Sequence, residues 1–244
     1  MKNMNRYASI LVLVAAAQFT FSEDTVQILT TGLHHGEEVT AESGPDWWGI
    51  FPEGDGFTLQ QAPVTITNEH DVILDEEGQA TGKLVKVPQE AEPVLLVHGV
   101  KGLTAGSLNS VRLESSQLFL YPGQFFALIF SNDGNQSQTA SIVAQGESTR
   151  IDYDTPIFTN YRLLLRSREN QEVHVQEIVV VEPFWTGSAP TIVWAGDLDR
   201  DGMVDILLDV REHESNRHYV LYLSGAAKEG ELVGKVAEWK TMGC

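Results

Sequence analysis

The residues with the clearest chemical potential form one run, Gly196-Asp197-Leu198-Asp199-Arg200-Asp201-Gly202-Met203-Val204-Asp205. Its aspartates fall at positions 1, 3, 5 and 9 of a calcium-type loop. Alternate carboxylates converge on one point when the chain curls around it. Gly202, at the sixth position, permits the sharp backbone turn such a loop requires. Met203, at the seventh, supplies a backbone carbonyl, which any residue can do. Converging carboxylates repel one another unless a cation sits among them. A flexible site rich in protein oxygens suits Ca2+ better than Mg2+, which prefers octahedral geometry and keeps its waters. The expected metal ligands are therefore Asp197, Asp199, Asp201, Met203 and Asp205.

The run departs from an EF-hand in two ways. The position of the bidentate glutamate is taken by Leu208, and Asp209 follows one place too late. The flanks, Thr191-Ile192-Val193-Trp194 and Ile206-Leu207-Leu208, read as strands rather than helices. A β-hairpin stapled by calcium is the expected local structure. Ligands drawn from one short loop favour a structural ion over a catalytic one. The bland alternative is an acidic, solvated turn that binds nothing.

From Ala195 to Leu208 the chain resembles the FG-GAP and VCBS-type repeats of integrin-like and bacterial exported proteins. The strand expected at Tyr219-Val220-Leu221-Tyr222-Leu223 follows, as it does in those repeats. The resemblance implies that the matching aspartates bind calcium between two strands of a propeller blade. It covers roughly residues 190–225, and the chain carries one copy. A propeller needs about 4–8 blades, so the propeller and its ligand-binding rim do not carry over. The whole chain is also similar to exported bacterial proteins that end in one such loop and a terminal Gly-Cys, a likeness that supplies no activity.

The elements that must position this loop read as strands and turns. Alternation appears in Lys83-Leu84-Val85-Lys86-Val87 and Glu172-Val173-His174-Val175-Gln176. Short β-branched or aromatic runs appear at 94–97, 125–130, 178–181 and 219–223, bounded by turn formers. Between Ala226 and Trp239 the pattern fits a helix weakened by Gly230 and Gly234, or a strand from Val233. The fold class expected is all-β: sandwich-like or two packed β units, with the stapled hairpin near the C-terminus. The organisation expected is a signal peptide over 1–22, an N-terminal β unit over 23–147 and a C-terminal β unit over 148–244.

The signal peptide rests on Lys2 and Arg6 followed by the apolar run Ala8–Ala17, about half of the ~20 residues a membrane span needs. It predicts export to a periplasmic or extracellular space. No later stretch is apolar enough to span a bilayer. The 244 residues carry 16 Lys+Arg against 34 Asp+Glu, a formal charge of −18, which argues against a nucleic-acid partner. Cys244 is the only cysteine, so no internal disulfide can form. It reads as a free thiol, or as an intermolecular bridge in an adhesion component.

Other motifs read as structure. Pro93-Val94-Leu95-Leu96-Val97-His98-Gly99 looks like the strand and turn before a hydrolase oxyanion hole, but no Gly-x-Ser-x-Gly elbow accompanies it. His34-His35-Gly36-Glu37-Glu38 reads as an exposed, solvated turn. His213 and His218 read as part of a polar connection. Trp47 and Trp48 alternate across a strand, so one faces the core and the other needs a second surface. The function expected is a non-enzymatic binding or structural module with a structural Ca2+, its partner an unknown protein or glycan. The alternative is a carbohydrate-active or other hydrolase using acidic residues in a β cleft.

Overall fold

The computed structural model describes residues 25–112, 118–132, 136–150, 156–169, 172–181, 183–211 and 213–242. The expected signal peptide and Cys244 lie outside the described residues. Strands are numbered along the chain, and no α-helix occurs among the described residues. The fold is all-β and sandwich-like.

The largest sheet contains β1 (Gln27–Leu29), β3 (Trp48–Glu53), β4 (Gly56–Gln61), β7 (Leu95–His98) and β8 (Gly106–Ser110). It continues through β15 (Thr191–Asp197), β16 (Asp205–Asp209), β17 (Asn216–Leu223) and β18 (Gly234–Met242), with β9 (Leu118–Phe119) beside β15. The strand order is β1-β7-β3-β4-β8-β15-β16-β17-β18, antiparallel throughout. Its two ends return toward each other, since β1 lies against β18. A second sheet contains β10 (Phe125–Asn132), β11 (Gln136–Arg150), β12 (Pro156–Glu169) and β13 (Glu172–Val181), with β14 (Phe184–Trp185) on β12. A small third sheet is β2 (Gly32–His34), β6 (Gly82–Lys86) and β5 (Thr65–Glu69).

Two cores result. One fills the inside of the curled large sheet, with Ile50, Leu59, Leu96 and Trp194 among its fully buried members. The other lies between the second sheet and the outer side of β15–β17, where Leu128, Ile142, Leu163 and Leu165 meet Ile206, Leu208 and Val220. Strand β16 therefore has no solvent face. Leu207 points into the first core, and Ile206 and Leu208 into the second. This double burial explains why Ile206-Leu207-Leu208 is continuously apolar instead of alternating. Each such side chain contributes roughly 1.5–3 kcal/mol relative to exposure.

The division expected at residues 147/148 falls inside β11, next to a register shift between Gln145 and Glu147. The inner core also mixes both ends of the chain, from Ile28 to Trp239. Between Ala226 and Trp239 the strand alternative forms: Gly230 takes φ +86°, and β18 begins at Gly234 and pairs with β17.

The histidine pair requires a correction. His34 and His35 are buried, not solvated. The ring of His34 packs edge-on against Trp239, 4.9 Å between centroids, and its Nε2 lies 3.0 Å from the Thr30 carbonyl. His35 pairs through Nδ1 with the buried Asp71 carboxylate. The polar Gly36-Glu37-Glu38 that follows concealed this, because Glu38 is spent on tying the turn to β18. Its carboxylate accepts from the Met242 amide at 2.6 Å and the Thr241 hydroxyl at 2.7 Å. Its carbonyl accepts from Trp239 Nε1 at 2.8 Å.

Candidate metal centre

Strands β15 and β16 form the expected hairpin, in a register that sets Gly196 opposite Asp205. Asp197 closes β15 and Asp205 opens β16, so the pairing itself brings these two carboxylates to the mouth of the loop. Gly196 is required by packing. A Cβ there would lie 2.6 Å from Trp194 Cζ2 and 2.7 Å from the Asn109 carbonyl oxygen. Leu198, buried in the inner core, and Val204, buried in the outer one, pin the loop at both ends.

Between those anchors the loop turns through two left-handed residues, Arg200 at φ 62° and Gly202 at φ 88°. Glycine takes the latter without cost. Arg200 is the less common case, and its Nη2 donates to the Thr104 carbonyl at 3.3 Å. The aspartates fold the loop on themselves. Asp197 Oδ2 accepts from the Gly202 amide at 3.1 Å, and Asp199 Oδ1 from the Asp201 amide at 3.3 Å. Asp201 Oδ1 accepts from the Met203 amide at 2.7 Å, and Asp205 Oδ2 from the Leu198 amide at 2.7 Å.

One carboxylate oxygen from each of Asp197, Asp199 and Asp205 lies within 4.8 Å of the other two. Oxygens on a cation at 2.3–2.6 Å stand at about such separations, so the three could hold a metal ion. Asp197 Oδ1 is buried and has no hydrogen-bond partner among the described residues. A buried carboxylate oxygen with no donor is the orphan that a cation would satisfy. Burial raises the pKa of Asp197, with the Asp201 and Asp199 charges adding to it. Burial and the Asp201 charge do the same for Asp199. Asp205, fully buried, is pushed up from 3.8 to about 7, chiefly by burial.

The other expected ligands sit at the rim. Asp201 places Oδ2 2.9 Å from the Ser224 hydroxyl and is not part of the group of three. Met203 is 37% exposed and contributes its amide to the Asp201 bond. Asp209 stands at the far end of β16 and serves a different purpose. It is buried, pairs with Arg211 and Arg217, and accepts from the His218 amide at 3.1 Å.

The sequence reading did not include Ser224 and Gly225, which form the turn Ser224–Ala226 after β17. Asp205 Oδ1 accepts from the Ser224 amide at 2.8 Å and its hydroxyl at 2.9 Å. A Cβ on Gly225 would lie 2.6 Å from Asp199 Oδ2. The signal lay in strand register. Antiparallel pairing of Ile206 with Tyr222 carries the end of β17 back to the start of β16.

The other motifs do not converge. His98 ends β7 in an antiparallel sheet, its ring 5.3 Å from that of the buried Trp47. Trp48 is half-buried against the same core. His213 bonds Ser215, whereas His218 lies in β17 with Nε2 2.9 Å from Glu238. No helix among the described residues is long and apolar enough to cross a membrane. The chain matches no protein-family model, no curated protein and no solved structure.

Proposed function

We propose that this is an exported calcium-binding protein, a non-enzymatic binding or structural module in which one Ca2+ fastens the β15–β16 hairpin to the Ser224–Ala226 turn. The observation that carries this reading is the convergence of one carboxylate oxygen each from Asp197, Asp199 and Asp205, with Asp197 Oδ1 buried and without a hydrogen-bond partner among the described residues. An all-oxygen, carboxylate-rich donor set favours a hard cation, and a flexible loop favours calcium over magnesium. In this reading Asp201 and the Met203 carbonyl complete the shell, as in the FG-GAP-like loop. The hairpin contributes side chains to both cores, so the ion acts on the stability of the whole fold.

The test is a thermal melt of metal-free protein with excess calcium and with chelator, repeated for Asp199→Ala and Asp201→Ala. An ion bound only by the native state at ~100 times its dissociation constant adds about 2.7 kcal/mol. The reading requires a calcium-dependent rise in Tm that both variants lose. No rise in protein verified as metal-free reduces the loop to an acidic turn.

A further inference from the structure

Two surfaces outside the metal loop are apolar, exposed and opposite in charge. The first is the turn Val72-Ile73-Leu74, whose side chains are 73%, 57% and 60% exposed. Consecutive exposed aliphatics are avoided on soluble surfaces unless they bind something. This turn is also firmly built. Asp71 Oδ1 accepts from the Ile73 amide at 3.0 Å and the Leu74 amide at 3.2 Å, while His35 holds its other oxygen. Asp75 Oδ2 accepts from the Asp71 amide and the Thr81 amide, both at 2.8 Å. The polar groups face inward and the three aliphatics project. Exposed Glu69, Glu76 and Glu77 flank them. Nearby Lys83 is engaged by Asn68, and His70 by the Gln79 carbonyl.

The second surface is the outer face of the β10–β13 sheet. Alternation turns Leu128, Ile142, Leu163 and Leu165 into the core. It leaves Phe125, Ile129, Val173, Val175 and Val180 outside, each 53–69% exposed. Cross-strand register sets Phe125 beside half-buried Val143 and Leu164, and sets Val173, Val175 and Val180 opposite Arg168, Arg166 and Arg162. The central strand β12 adds Arg162, Arg166 and Arg168 to this face. Arg162 is bridged to Glu177 at 3.6 Å. Among the described residues, Arg166 and Arg168 have no salt bridge, and Arg166 Nε is buried without a partner. In a chain of charge −18, three of the 16 basic residues share one strand of one apolar face.

We propose that the occupant of this face is the Val72–Leu74 turn of a second copy of the chain. The aliphatic tip seats on the apolar patch, and the flanking glutamates meet Arg166 and Arg168. Charge complementarity selects the second copy over an anionic lipid surface, which the acidic flanks of the tip oppose. Because tip and face are different patches, a single contact leaves one tip and one face free. Those free groups close on each other in a two-fold dimer, close in a larger ring, or add further copies into a filament, as the rotation between copies dictates.

The test is sedimentation velocity of the purified protein over a wide concentration range. A tip variant carries Val72→Ser, Ile73→Ser and Leu74→Ser; a face variant carries Arg168→Glu and Val175→Asp. All these positions are exposed, and a melt confirms that each variant folds like the parent. The expected result is a parent whose mass rises with concentration to a dimer or beyond, less so at high salt, and variants that each stay monomeric. An equimolar mixture of the two variants, which retains one good tip and one good face, forms a dimer and nothing larger. A parent that stays monomeric, a variant that still associates alone, or a mixture that stays monomeric overturns the proposal. A monomeric parent that instead sediments with phosphatidylcholine vesicles, through the tip, assigns the tip to a lipid surface and also overturns it.

Discussion

Without a cation the protein should lose stability as pH rises, because of Asp205. Its side chain has no contact with solvent, and its folded pKa is raised from 3.8 to about 7 by burial. Between those values the native state holds a proton that the unfolded chain has released, so unfolding becomes easier with each step up in pH. The gap corresponds to on the order of 4 kcal/mol, lost between about pH 4 and pH 7 and constant above. Asp197 and Asp199 are raised as well and act in the same direction. Urea denaturation in chelator should therefore give a higher midpoint at about pH 5 than at about pH 8. Excess calcium should reverse the order, since protons compete with the ion below about pH 7. Asp205→Asn isolates the group. It places an amide NH2 against one of the donors that Asp205 now satisfies, which costs about 1–3 kcal/mol at every pH. It also removes about one proton from the pH slope of the chelated protein. If the chelated parent and Asp205→Asn show parallel profiles across this range, burial of Asp205 does not govern the site and the reasoning fails.

Gly225→Ala sets a methyl group 2.6 Å from Asp199 Oδ2. Calorimetric titration should show calcium affinity falling at least tenfold, with a smaller change in the melting temperature of the chelated protein. His35→Ala should cost most in weakly acidic buffer. His35 is raised by its bond to Asp71, so its contribution is present below pH 6.5 and lost as pH climbs through the folded value. Asp71 is lowered by the same bond, so its contribution is present above pH 3.8 and lost as pH falls through its folded value. Denaturation of parent and variant across that window should show the difference narrowing toward both ends.

The candidate metal loop was legible because its information is local. Spacing alone sets Asp197, Asp199 and Asp205 around one turn, and Gly202 takes the left-handed conformation its position demands. Ser224 and Gly225 were not legible, because β16–β17 register rather than spacing brings them there. The all-β class followed from short β-branched runs, whereas alternation left 226–239 open between helix and strand, and the structure resolves it with a turn at Gly230 and β18 beyond. His34 and His35 misled for the opposite reason. Their neighbours are polar, but Asp71 and Trp239, the groups that bury them, lie 36 and more than 200 residues away in sequence. The outer face of β10–β13 was equally hidden. Val173 and Val175 alternate like core residues, and sequence does not tell which side of a strand is covered.

The Glu38 clamp has a kinetic consequence. Its bonds to Trp239, Thr241 and Met242 span 201 to 204 residues, and they tie the Gly36–Glu38 turn to β18, the strand that β1 also lies against. Contacts of that separation come late in folding, since the intervening chain must lose its loop entropy before they form. During synthesis, therefore, β1 waits until Gly234–Met242 has been made before it meets β18. Until then both edges of the large sheet stand open and prone to pairing with other chains, a hazard that a holding chaperone would relieve.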